Sequence, residues 1–138
     1  ENLLRSMLSN FPGAAYRCEY TDKWRMRYLS DAVEELTGYS STSFLNNDNF
    51  NFSHIIHPED KLHNKPITKK ALQEKKFFEI IYRIKRADGN WRYVQEIGRG
   101  VYDSIGNLEF VDGFIWDIQA KIDSETEKNI TANKWMSI

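Results

Sequence analysis

Residues 77–102 read FFEIIYRIKRADGNWRYVQEIGRGVY, and this stretch decides the fold. Two runs rich in aromatic and β-branched residues, Phe77 to Arg86 and Trp91 to Tyr102, flank Ala87-Asp88-Gly89-Asn90. An Asp-Gly between two such runs predicts a tight hairpin, because glycine supplies the positive φ the turn needs. A third run, Leu108 to Ile118, follows a second turn at Asp103 to Asn107. Three strands joined by short turns predict an antiparallel meander.

Upstream, the pattern has period two from Ala14. Tyr16, Cys18 and Tyr20 alternate with Arg17 and Glu19, and Trp24, Met26 and Tyr28 alternate with Arg25 and Arg27. That spacing predicts a first hairpin with one buried and one charged face. Between the two strand groups lie helical signals. Asp31 with Glu34 predicts a capping box on a helix ending at Gly38, and Ser40 or Ser41 a brief turn carrying Phe44 and Leu45. Asn46 to Asn51 is a polar loop, and Phe52 to Ile56 a further turn. Pro58 opens a helix to about Glu74 with apolar positions Leu62, Ile67, Ala71 and Leu72, and Pro66 is expected to kink or interrupt it. Strands, helices, then strands define an α+β class. The expected architecture is a five-stranded antiparallel sheet of order 2-1-5-4-3 with short helices on one face.

At 138 residues the chain fits one domain: an N-terminal flanking helix over 1–10, the module over 11–118 and a connector over 119–138. Leu3, Leu4, Met7 and Leu8 have helical spacing and are the expected contact of a homodimer or with the outer sheet face. In the tail, Ser124 with Glu127 predicts a capped connector helix to about Asn133. A net charge of −1 argues against a nucleic-acid surface. No apolar run is long enough to span a bilayer. The single Cys18 excludes an internal disulfide and fits a reducing, cytoplasmic compartment. Because the chain starts at Glu1, it is expected to be a piece of a larger protein.

In this order the motifs resemble a PAS domain with a C-terminal PAC motif, as found in bacterial sensor histidine kinases and GGDEF or EAL proteins. The resemblance rests on Leu29 to Ala32, Leu36 to Ser40 with Phe44-Leu45, and His54 to Asp60 with its His-Pro-Glu-Asp core. It continues through Tyr82-Arg83-Ile84, Ala87 to Trp91, Asp103 to Gly106, and Val111-Asp112-Gly113 with Trp116-Asp117-Ile118. The resemblance implies a sensory module that binds a small ligand, a cofactor or a partner. It would relay a conformational change through terminal helices to a covalently linked output domain, a diguanylate cyclase or a histidine kinase. No phosphoacceptor box, ATP lid or GGDEF signature lies in this piece.

Haem-binding relatives place an axial ligand on the helix that holds His63, but its neighbours Lys61, Asn64 and Lys65 are solvating. Flavin-adduct relatives carry a reactive cysteine where this chain reads Phe50 to His54 without one. Both cofactors are therefore disfavoured, and the cofactor is left unassigned. Cys18 reads as a small buried hydrophobe. His57 reads as a turn residue, and His54 and His57 lack further metal ligands. The glycines at 98, 100 and 113 read as close approaches to the sheet. The expected inward set is Tyr16, Cys18, Met26, Tyr28, Phe78, Ile80, Tyr82, Val94, Gly113 and Ile115. It either lines a ligand pocket or simply fills the core. Alternatives are a ligand-free dimerisation module and a small cone-shaped isomerase or dehydratase. The latter needs an inward acid or His with a shifted pKa, and Asp112 is the one strand carboxylate expected to turn inward.

Overall fold

The computed structural model describes residues 3, 6, 7, 10–21 and 24–136. Five strands form one antiparallel sheet: β1 (Gly13–Cys18), β2 (Met26–Leu29), β3 (Phe78–Lys85), β4 (Trp91–Tyr102) and β5 (Leu108–Asp117). Their spatial order is β2-β1-β5-β4-β3, as the meander and the first hairpin predict. The β3–β4 turn closes with Gly89 at φ 88°. There the Asp88 carboxylate accepts the Asn90 N–H at 2.9 Å. The Arg86 guanidinium ties the turn to the helical side of the fold by donating to the Leu36 carbonyl at 3.2 Å.

One face of the sheet is covered by α1 (Val33–Thr37), α2 (Ser41–Phe44), a single 3₁₀ turn (Phe52–Ile55) and α3 (Pro58–Gln73). A fourth helix, α4 (Gln119–Met136), leaves from the end of β5. The core between these layers gathers Val33, Phe44, Ile84 and Ile115, each fully buried. Burying a side chain of this kind stabilises the fold by about 1.5–3 kcal/mol.

Several local expectations need correction. Asp31 and Glu34 form no capping box. The residue before α1 is Ala32, without a side-chain cap, and the Ser30 hydroxyl instead accepts the Ala15 N–H at 2.9 Å. Pro66 does not interrupt α3, which is helical throughout. The carbonyl it leaves without an N–H partner is that of Leu62, on the solvent side where Leu62 is 77% exposed, so water can satisfy it. The inward face of α3 is Asn64, Thr68 and Leu72, while Leu62 and Ile67 point outward. Helix α4 starts at Gln119, five residues before Ser124, because the Asp117 carboxylate accepts the Gln119 N–H at 2.7 Å.

Tyr28 is the one aromatic of the expected inward set that faces the other way, at 49% exposure. A register shift between Arg17 and Cys18 is the cause. Cys18 pairs with Met26 and Arg17 with Tyr28, so Arg27 is an extra residue on β2. The bulge inverts everything beyond it, leaving Met26 and Leu29 buried and Tyr28 outside. At the N-terminus Leu3 and Met7 are helical and largely exposed, whereas Leu4 and Leu8 lie outside the described residues.

Candidate functional site

A cavity of about 670 Å³ lies between the sheet and α3. Its floor is Ile80, Tyr82, Glu96 and Ile115, and Met26 and Phe52 form one wall. The opposite wall is the polar side of α3, where Asn64 and Thr68 are buried yet border the space. This helix is fastened at its two ends. At the first turn the Asp60 carboxylate accepts two bonds from the Arg83 guanidinium, at 2.9 and 2.8 Å, and the Arg83 N–H at 2.8 Å. His57 caps the same end by accepting the Glu59 N–H at 3.2 Å through Nδ1. Near the other end the Tyr102 hydroxyl donates to the Leu72 carbonyl at 2.6 Å. Between the fasteners the helix is held to the sheet edge by Asn64, which donates to the Ile81 carbonyl at 3.1 Å.

Glu96 is the feature that the sequence reading missed. It is 6% exposed, and both carboxylate oxygens accept from buried tyrosines. The Tyr82 hydroxyl donates to Oε1 at 2.6 Å, and the Tyr16 hydroxyl donates to Oε2. Burial pushes the Glu96 carboxyl above its ordinary range, and the two hydroxyl donors oppose that shift without cancelling it. Burial, followed by the neighbouring Glu96 charge, drives both phenols well upward, so they stay protonated donors. Two hydroxyls that both donate fit an ionised acceptor, and neither has another acceptor among the described residues. No Lys, Arg or His forms an ion pair with Glu96 among the described residues.

The Tyr16 phenol reaches Glu96 by lying across the two glycines that face each other in the centre of the sheet, Gly98 and Gly113. A Cβ on Gly98 would sit 2.3 Å from the Phe78 ring, and one on Gly113 would sit 2.6 Å from the Tyr16 oxygen. The row Tyr16–Gly113–Gly98–Phe78 thus alternates large side chains with bare backbone, which lets the two rings fold over the middle strands.

Of the expected inward set, Met26, Ile80, Tyr82 and Ile115 border the cavity. Cys18, Phe78 and Val94 are buried in the core, and Tyr16 supports Glu96 from the side. Asp112 is not inward. It is paired with Arg17 on the outer face at 2.7 Å. His63 is exposed on α3 and does not border the cavity, and His54 accepts the Asn51 N–H at 3.0 Å. No cluster of three His, Cys, Asp or Glu suited to a metal occurs among the described residues.

Residues 26–115, more than half of the chain, match the family described as PAS fold, and the chain belongs to that family of sensory domains. No curated protein matches. Among solved structures, a sensory box histidine kinase/response regulator from Burkholderia thailandensis superposes with a TM-score of 0.78 at 18% identity, over 98% of each chain. The N-terminal domain of a diguanylate cyclase with PAS/PAC sensor from Marinobacter aquaeolei gives 0.67 at 21% identity, over 79% of this chain and 97% of that one. The PAS domain of a protein from Colwellia psychrerythraea gives 0.71 at 14% identity, over 86% of this chain and 97% of that one. At these identities the likeness is one of fold. No helix among the described residues is long and apolar enough to cross a membrane.

Proposed function

We propose that this chain is the sensory module of a multidomain cytoplasmic signalling protein and that a small molecule binds between the sheet and α3. A diguanylate cyclase or histidine kinase outside this piece would read the result. The observation that carries the proposal is the unfilled space of about 670 Å³ lined by a buried carboxylate and a polar helix face. Cavities of several hundred Å³ with a few convergent polar groups are typical of small-molecule sites. A core sealed purely for stability would present apolar side chains at positions 64, 68 and 96.

The connection to α4 is short. The Tyr93 N–H donates to the Gln119 side chain at 2.9 Å, and the Ile118 N–H donates to the Tyr93 carbonyl at 3.0 Å. Tyr93 precedes Glu96 by three residues on β4, so movement of the cavity floor is passed directly to the root of the connector. A ligand signals only to the extent that it binds one arrangement of that root better than another. Native mass spectrometry of the purified chain, with an ultraviolet–visible spectrum, tests the reading. A retained mass lost on filling the cavity with Thr68→Phe supports it. A clean mass on protein taken directly from cells, unchanged by the variant, refutes it.

A second reading, ligand-free dimerisation, is favoured by the outer face of the sheet. There Tyr28 and Phe77, 49% and 62% exposed, border a groove of about 610 Å³. A clean mass at twice the chain weight that reverts to monomer in Tyr28→Lys would support it.

A further inference from the structure

Glu96 is a buried carboxyl with no cationic partner among the described residues. Transfer of a carboxylate into a dry interior costs several kcal/mol unless a cation or enough donors compensate it. Two phenols supply donors but no positive charge, and each oxygen keeps a lone pair free after one bond. The carboxylate borders the cavity, so a ligand's N–H can reach it from the open side. Aromatic rings line the same space: Tyr82 and Phe52 near the floor, and Tyr20 packed edge-on against Trp24, with centroids 5.3 Å apart, farther out. Ring faces beside a carboxylate suit a protonated nitrogen.

The rim has the opposite sign. Lys61, Lys65 and Lys69 recur every four residues along α3 and all border the cavity. Lys61 is engaged with the Ser53 carbonyl at 3.1 Å. The ammonium groups of Lys65 and Lys69 make no hydrogen bond or ion pair among the described residues. Asp60, the acidic side chain of the same rim, is committed to Arg83.

We infer that the cavity selects a small molecule with opposite charges at its two ends. A protonated nitrogen seats on Glu96, an aromatic or apolar body lies between Ile80 and Phe52, and an acid group emerges beside Lys65 and Lys69. This rests on the ligand-binding reading above and adds the charge pattern of the ligand.

Four probes of one skeleton test it: 4-(aminomethyl)benzoate, benzylamine, benzoate and benzyl alcohol, titrated into ¹⁵N-labelled protein and followed by amide shifts. The zwitterion is expected to bind most tightly, benzylamine next, and benzoate at least about tenfold more weakly than the zwitterion. Glu96→Gln should weaken both amines by about tenfold or more. Since a core variant can misfold, the exposed pair Lys65→Glu with Lys69→Glu provides a second test. It should lower affinity for the zwitterion and leave benzylamine no weaker. Equal binding of benzyl alcohol, lost in Thr68→Phe, would keep the cavity as a ligand site and overturn the charge rule. Indifference of the amines to Glu96→Gln in a folded variant also overturns it, as does absence of binding by every probe to about 10 mM. The mass measurement on protein from cells then decides the broader reading separately.

Discussion

Removing a single hydroxyl tests the buried carboxylate most directly. Tyr82→Phe keeps the ring, which packs edge-on against Phe52 with centroids 6.5 Å apart, and deletes only the 2.6 Å bond to Glu96. Little apolar area changes, so on the alkaline side of the folded Glu96 pKa the loss is that of a hydrogen bond to a charged group, and the variant should there be about 2 kcal/mol less stable. The dependence on pH follows from Glu96, whose pKa is raised in the folded state. Its ionisation does not penalise the native state below the unfolded value, near 4.5; the penalty grows as pH rises from there to the folded value and is constant above it. Taking away one donor to the anion moves the folded pKa further up. The deficit of the variant is therefore greatest above that value. Toward about pH 4, where the acid is neutral in both states, it shrinks to that of a neutral bond, about 1 kcal/mol. Urea unfolding at both pH values, with m-values compared, measures this. A deficit that is constant, or larger in acid, refutes the arrangement of one anion held by two phenols.

The glycine pair and the helix clamp give further tests. In Gly113→Ala the new carbon falls 2.4 Å from the Ile97 carbonyl oxygen, which is backbone and cannot rotate away, and the cost should be about 2–4 kcal/mol. Gly89→Ala, with open space around it, should lose only about 1 kcal/mol from its positive φ; equal losses would refute the packing argument. Arg83 holds the Asp60 carboxyl below its ordinary range, so this contact stabilises the fold above pH 3.8 and is lost as pH falls through the lower folded value. Asp60→Asn should speed hydrogen exchange in the first turns of α3 by about tenfold while β4 is unchanged, and a uniform increase would count against a local clamp. Burial, then the Glu96 charge, pushes the Cys18 thiol up. A disulfide reagent should therefore label it about a thousandfold more slowly than in urea, and labelling within seconds would show that β1 opens freely.

The sheet was legible because its signals are local. Asp88-Gly89 fixes one turn, Gly106 with φ of 90° the next, and period-two alternation carries the faces between them. Tyr28 was not legible, since the bulge opposite Arg17 depends on how two strands settle and leaves no mark in either. Glu96 was. Placing Val94 inward places Glu96, two residues on, inward as well, and placing Gly113 and Ile115 inward turns Asp112 out. A strand buries an acid where neighbouring strands supply donors, here the Tyr16 and Tyr82 hydroxyls from β1 and β3. The helix α3 likewise turns polar residues inward. Its apolar residues Leu62 and Ile67 are exposed, whereas the face that meets the sheet is Asn64 and Thr68, chosen by a cavity rather than by a core.

The facing glycines have a thermodynamic corollary. Gly98 and Gly113 border the outer groove as well as carrying the Tyr16 phenol on the inner side. There the peptide layer and the Tyr16 phenol lie between the outer groove and Glu96. Anything that seats in the outer groove and shifts those peptide units also shifts the phenol that holds Glu96. Whatever factor such an occupant imposes on affinity inside the cavity, the cavity's ligand must impose on the occupant in return. Self-association through the outer face and ligand affinity would then be two readings of a single coupling free energy, obtainable from either side.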